Sequence, residues 1–251
     1  MSRDRSVDIV KKNKESALQS LDMRIQGLID NGDPIDLKRA DLLSFWIKTY
    51  SGYLKQEKTF DPNYLINYRK GDIVKINLGY RIGNEEGGLH FGVVMDVNNS
   101  KRSGIITIVP LTSTKPGKVP QKDSVGIGRE VFQALISKHD KLLNSINAEI
   151  IELQAKIADI DSTSVPKDDL PSYIKQLERL TAKSDELSEL RKSIMKMKQG
   201  SIALVNQITT ISKIRISDPL YTHSVLYGIR LSDTTICAID DKLCDLYVKN
   251  R

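Results

Sequence analysis

Between Arg129 and Met197 the apolar residues recur at heptad spacing, and little else in the sequence restricts the fold as strongly. Leu135, Leu142, Ile146, Ile150, Leu153, Ile157 and Ile160 follow one another at intervals of three, four and seven. Ile174, Leu177, Leu187, Leu190, Ile194 and Met197 form the return run, after a loop, "DSTSVPKDDLP" at 161–171, that holds two prolines. The pattern predicts an antiparallel α-helical hairpin over 129–199, its tip roughly 40 Å from its base at ~1.5 Å per residue. Twelve basic and twelve acidic residues cancel within it, as expected of a solvated helix pair. Such an arm is more often a docking or dimerisation device than a catalytic one.

On either side of the arm the period changes. "GDIVKINLGY" from Gly71 alternates, with Val74, Ile76 and Leu78 on one face and Lys75 and Asn77 on the other. "FGVVMDV", "GIITIVPLT" and, beyond the arm, "GSIALVNQI" read as further strands bounded by turn residues such as "NNSKRSG". Short strands without intervening helices predict a small, strongly bent antiparallel sheet or barrel. Two helices precede them, one running to the stop "NGDP" at 31–34 and one from Asp36 to "FDPNY" at 60–64. Their apolar faces are Val7, Val10, Ala17, Leu21, Ile25 and Leu28, then Leu37, Leu42, Leu43, Trp46, Ile47, Tyr50 and Leu54. A last helix is expected from Ser232, a good N-cap, burying Ile236, Ile239, Leu243 and Leu246.

Composition narrows the class. Hydrophobic content of 39% and charged content of 28% are ordinary for a globular protein. No run approaches the ~18 apolar residues of a membrane span, and "MSRDRSVDIVKKNKES" lacks the apolar core of a signal peptide, so a cytoplasmic protein is expected. Cys237 and Cys244, seven apart in the last helix, indicate neither a disulfide framework nor a zinc site, and no metal or cofactor is expected. The net charge of +6 lies outside the arm and is compatible with a polyanionic partner.

Three motifs in order carry a resemblance. Gly83, Glu85, Gly87 and Gly88 stand in a glycine-rich loop leading into an apolar strand; "VPLTS" spans Val109 to Ser113; and Gly200 through Ile211 keeps Gln207, Thr210 and Ile211. In these the chain resembles the PemK/MazF/Kid toxins of bacterial toxin–antitoxin systems. The resemblance implies an α+β fold: an SH3-like antiparallel β-barrel with a C-terminal helix, over 68–128 and 200–251. To it this chain adds the N-terminal helices (1–67) and the inserted hairpin (129–199). It also implies a homodimer, a metal-independent endoribonuclease acting on single-stranded RNA, and a cognate antitoxin that blocks the groove. The chain departs from the family pattern at several positions. His90 stands where the family has a loop arginine and Phe91 where it has proline; Asn206 replaces an acid and Thr209 an arginine.

RNA is cut without metal when the 2′-hydroxyl attacks the adjacent phosphorus, which needs a base, an acid and donors for the charged phosphorane. An imidazole serves either proton-transfer role near neutrality, where arginine does poorly. His90 and Thr112 are therefore the candidate catalytic pair. Ser113 and the backbone N–H groups of Gly87 and Gly88 are candidate donors to phosphate oxygens. Glu85 is an acid or a loop brace. Asn206 and Gln207 are candidate groove residues, and Arg81, Lys213 and Arg215 are expected at the RNA backbone. His139 and His223 belong to no motif and read as structural. The alternative reading is a non-catalytic barrel that binds RNA or protein through its helical arm.

Overall fold

A computed structural model describes residues 6–115, 121–162, 170–196 and 198–249. The expected turn of the arm at 163–169, the heptad residue Met197 and the side chain of Ile160 lie outside the described residues. The chain is α+β, with five α-helices and a seven-stranded antiparallel sheet among the described residues. It divides into two compact units, Met1–Phe60 with Leu78–Gly88, and Asp61–Asn77 with Leu89–Arg251. The glycine loop groups with the N-terminal helices, and residues 129–199 group with the sheet.

In the first unit, helix α1 (Val7–Asp30) starts where the Ser6 hydroxyl accepts the Ile9 N–H. It ends before Gly32, whose φ of +67° ends the helical path. Helix α2 (Pro34–Glu57) follows at once, with the Asp33 carboxylate capping Ile35 N–H at 2.7 Å and Pro34 in the first turn. Leu28 and Ala40 are buried, but Val7, Val10, Leu37, Leu42, Tyr50 and Leu54 of the expected apolar faces are exposed. The periodicity thus located both helices and over-counted what they bury.

The second unit holds the sheet. Strands β1 (Ile73–Asn77), β2 (Leu89–Val94), β3 (Ile105–Ser113), β4 (Val125–Gly128), β5 (Ser201–Ala203), β6 (Thr209–Ser212) and β7 (Ile216–Asp218) follow chain order. Spatially they run β4-β5-β3-β2-β1-β7, with β6 also on β3. No ladder joins β4 to β7 among the described residues, so the sheet is not closed. β5 and β6 lie end to end along one edge of β3: Ala203 opposite Leu111, then Thr209 opposite Ile108.

Both faces of the central strands are buried. On one, Ile73, Phe91, Val93, Val109 and Leu111 join a core with Val131, Phe132 and Leu135 of helix α3 (Glu130–Ser162) and Ile236 and Ile239 of helix α5 (Asp233–Tyr247). On the other, Val74, Ile76, Val94, Ile106 and Ile108 are as fully buried. These strands therefore read as nearly continuous apolar runs rather than clean alternation. Three strands escaped the sequence reading, β4, β6 and β7; at three or four residues each they are too short to show a period of two.

Helix α3 packs on helix α4 (Leu170–Met195). His139, fully buried, places Nε2 2.9 Å from the Leu187 carbonyl and Nδ1 3.0 Å from the Asp140 carboxylate. Arg191 closes on the same carboxylate. The hydrogen bond from His139, then the Arg191 guanidinium, hold the Asp140 carboxyl below the usual carboxylate range. His139 is structural, as expected. Glu130 accepts the Thr235 hydroxyl at 2.8 Å and also bonds Ser232, the N-cap of α5, so the two helix starts are tied together.

Candidate functional site

The register of three strands places the candidate catalytic pair. His90 stands opposite Ile76 across β1–β2. Phe91 stands opposite Leu111 across β2–β3, so one residue outward His90 faces Thr112. Thr112 in turn stands opposite Ile202 across β3–β5. Directly opposed residues of an antiparallel pair project to the same face, and that face is the one opposite to Phe91 and Leu111. Ile76, His90, Thr112 and Ile202 thus form a row across four strands. His90 and Thr112 are each partly exposed, as groups that meet a ligand must be. The imidazole is anchored, with Nδ1 3.3 Å from the Leu111 carbonyl. A carbonyl oxygen only accepts, so this contact is a hydrogen bond in the tautomer that carries its proton on Nδ1.

Ser113 does not join them. Strand alternation turns it to the other face, opposite Ser201. The hydroxyl of Ser201 is itself buried, with no hydrogen-bond partner among the described residues. Asn206 and Gln207 fall in a 3-10 turn, Val205–Gln207, between β5 and β6. The Asn206 N–H donates to the Asp123 carbonyl at 3.3 Å, and its side chain is exposed. Arg215 donates Nε–H to the Asn77 carbonyl at 2.8 Å, bracing the end of β1.

Lys213 departs furthest from its expected place. It is 1% exposed, with Nζ donating to the Ser100 carbonyl at 3.0 Å and lying 5.7 Å from the centre of the Tyr68 ring. Burial pushes its pKa below the ordinary lysine value, while Asp96 pulls it back. A cation held under the surface in this way cannot reach an RNA backbone directly.

The remaining candidates belong to the Leu78–Gly88 loop of the first unit. Leu78 N–H donates to the Gly88 carbonyl and Gly88 N–H to the Gly79 carbonyl, both at 2.7 Å, which closes the loop's base. The Gly88 N–H, expected to be offered to phosphate, is therefore used within the loop. Gly88 has a φ of +85°, and a Cβ on Gly87 would come within 2.8 Å of the Gly79 carbonyl oxygen, so both positions require glycine. Arg81 donates Nε–H to the Leu78 carbonyl at 3.1 Å and pairs with Glu85 at 3.4 Å, an internal brace.

Among the described residues no group of three or more His, Cys, Asp or Glu side chains could hold a metal ion. No helix there is long and apolar enough to cross a membrane. Residues 69–179 match the family model described as PemK-like, MazF-like toxin of type II toxin-antitoxin system. The chain carries a domain of this family, preceded by the α1 and α2 helices. The match takes in β1 to β4, all of α3 and the beginning of α4, and stops short of β5. The family implies a toxin, generally an endoribonuclease. No curated protein matches the sequence.

The sequence reading named His90 and Thr112 but not the flanking pair in their row, Ile76 and Ile202. Their signal was present as inward positions of "DIVKIN" and "SIAL", and only the register turns it into a neighbourhood.

Proposed function

We propose that this chain is the toxin of a type II toxin–antitoxin pair, a cytoplasmic, metal-independent endoribonuclease that cuts single-stranded RNA. In this reading β1 to β7 bend as an SH3-like barrel of the PemK/MazF type, α3 and α4 form an antiparallel hairpin inserted into it, and the protein acts as a homodimer silenced by a cognate antitoxin. The observation that supports the reading is the strand register, which, continued one residue beyond the Phe91–Leu111 pair, brings His90 opposite Thr112.

The chemistry follows from the groups. Nε2 of His90 takes the proton of a ribose 2′-hydroxyl, and the oxygen attacks the adjacent phosphorus. The bond from phosphorus to the 5′-oxygen breaks, that oxygen takes up a proton, and the upstream fragment ends in a 2′,3′-cyclic phosphate. The Thr112 hydroxyl donates to a non-bridging oxygen that gains charge as the phosphorane forms. An imidazole at the family's arginine position gives up a bidentate phosphate clamp and gains a group that transfers protons near neutral pH. Phosphate attraction must then come from elsewhere in the molecule.

Mixed RNA incubated with the purified protein in excess EDTA tests the chemistry. Discrete fragments with cyclic phosphate ends, absent with His90→Ala and Thr112→Ala, are expected. RNA left intact at micromolar protein contradicts it. Growth arrest on expression of the chain, relieved by a small neighbouring gene, tests the toxin–antitoxin assignment separately.

A further inference from the structure

About 13 Å along β1 from Ile76, at ~3.3 Å per residue, the ladder ends at Asp72, and here the surface has a different character. Two adjoining cavities, of about 710 and 680 Å³, share Arg69, Lys101 and Arg230. Asp72 is the carboxylate in the first of them, so three cations face one anion. Burial pushes the Asp72 carboxyl upward, against the pull of Arg230 and Arg69. On the rim Tyr221 and His223 are exposed and stacked on each other, their ring centres 5.3 Å apart and their planes within 10° of parallel.

The walls are fixed in advance. The Ser224 hydroxyl accepts the N–H groups of Leu220 and Tyr221 at 3.2 and 3.1 Å, which sets the Tyr221 turn. The Tyr68 hydroxyl donates to the Pro219 carbonyl at 2.7 Å under the same turn. Buried Lys213 donates to the Ser100 carbonyl and lies over the Tyr68 ring. This gives the lysine a purpose that a backbone contact did not. It ties Ser100 to Tyr68, both of which line the second cavity.

We propose that this cleft is a second site on the protein, one that binds a single-stranded polynucleotide. Phosphates run past Arg69, Lys101 and Arg230, and a base stacks on the Tyr221–His223 pair. Separate cations around a groove with an aromatic platform on its rim are what a strand with accessible base faces requires. A duplex hides those faces, and a polyanion without bases leaves the platform unused. The site is distinct from the His90–Thr112 row at the other end of the ladder, and it stands whether or not that row cuts RNA.

The test uses the whole chain and a fluorescent single-stranded 2′-O-methyl RNA, which lacks the attacking hydroxyl, with binding read by anisotropy. Tyr221→Ala should weaken binding roughly five- to hundredfold, the range of one lost base stack. Log affinity should fall against log salt with a slope of about −2 for three phosphate contacts, and Arg230→Ala should make that slope shallower by about 0.7. Lys101→Ala, also exposed, serves as a second cation variant should Arg230→Ala fold poorly. A duplex of the same sequence and inorganic polyphosphate should bind more weakly. Binding unchanged by Tyr221→Ala, or polyphosphate bound as tightly as the oligonucleotide, would overturn the proposal. Failure of the nuclease assay with the binding results intact would count against His90 alone.

Discussion

The two ends of the β1–β2 ladder are built from the same strands and offer opposite chemistry. At the Ile76–His90 end one imidazole and one hydroxyl are set by strand register between isoleucines, with Arg215 braced on the Asn77 carbonyl one residue on. At the Asp72 end they are arginines, a lysine and stacked rings, set by loops that converge from four stretches of the sequence. The first end offers an imidazole, a hydroxyl and one arginine held on a backbone carbonyl. The second can hold a polyanion, and no group in its aromatic platform is placed by an opposed strand residue. The difference teaches that one ladder can carry register-set side chains at one end and loop-set charge and rings at the other, and in the proposed reading the first breaks a bond and the second binds.

The largest effect that would sharpen this contrast is expected from His90→Ala. Cleavage in EDTA should fall about 10²- to 10⁴-fold, the usual contribution of a positioned acid or base, with affinity for the 2′-O-methyl strand unchanged. Ile73→Ala attacks what the two ends share. Ile73 is fully buried opposite Val93, in the middle of the core. Its truncation should cost about 2–5 kcal/mol, read as a lower urea midpoint, and cleavage and binding should be lost together on heating. If one survived the melting of the other, the ladder would not be their common support.

Thr112→Ala should lower cleavage about 10²- to 10³-fold, and Thr112→Ser, which keeps the hydroxyl, should restore most of it. The smallest effect concerns Lys213. Burial lowers its pKa in the folded chain, so below the ordinary lysine value of 10.5 the unfolded chain binds the proton more tightly. Stability from this group is present above 10.5 and lost as pH falls through the folded value, so it rises with pH across that window. Lys75 and Lys138 are lowered by burial in the same direction and remain in the variant. Lys213→Met should therefore show a smaller gain in urea midpoint between neutral pH and pH 10 than the unaltered chain, with less than tenfold weaker oligonucleotide binding.

What could be read from the sequence was whatever depends on near neighbours. Heptad spacing located α3 and α4, and Ser232 with Asp233 marked the start of α5 to the residue. The motif "VPLTS" singled out Thr112 and Ser113 together, and the alternation of one strand then separates them, because only Thr112 shares a face with His90. Lys213 looked like a phosphate contact because it lies with Arg215 just downstream of the Gly200–Ile211 motif. Its burial depends on Tyr68 and Ser100, residues far along the chain that no local pattern links to it. The Asp72-end cleft was invisible for the same reason, being assembled from residues near 69, 101, 221 and 230 with no shared motif.

One measurement tests the division most directly: single-turnover cleavage and non-cleavable strand affinity, determined side by side for His90→Ala and Tyr221→Ala. The account predicts a crossing, in which the first variant binds normally and does not cut, while the second binds weakly and, once saturated with RNA, cuts at the normal rate. Two variants that lose cutting and binding in equal proportion would contradict it.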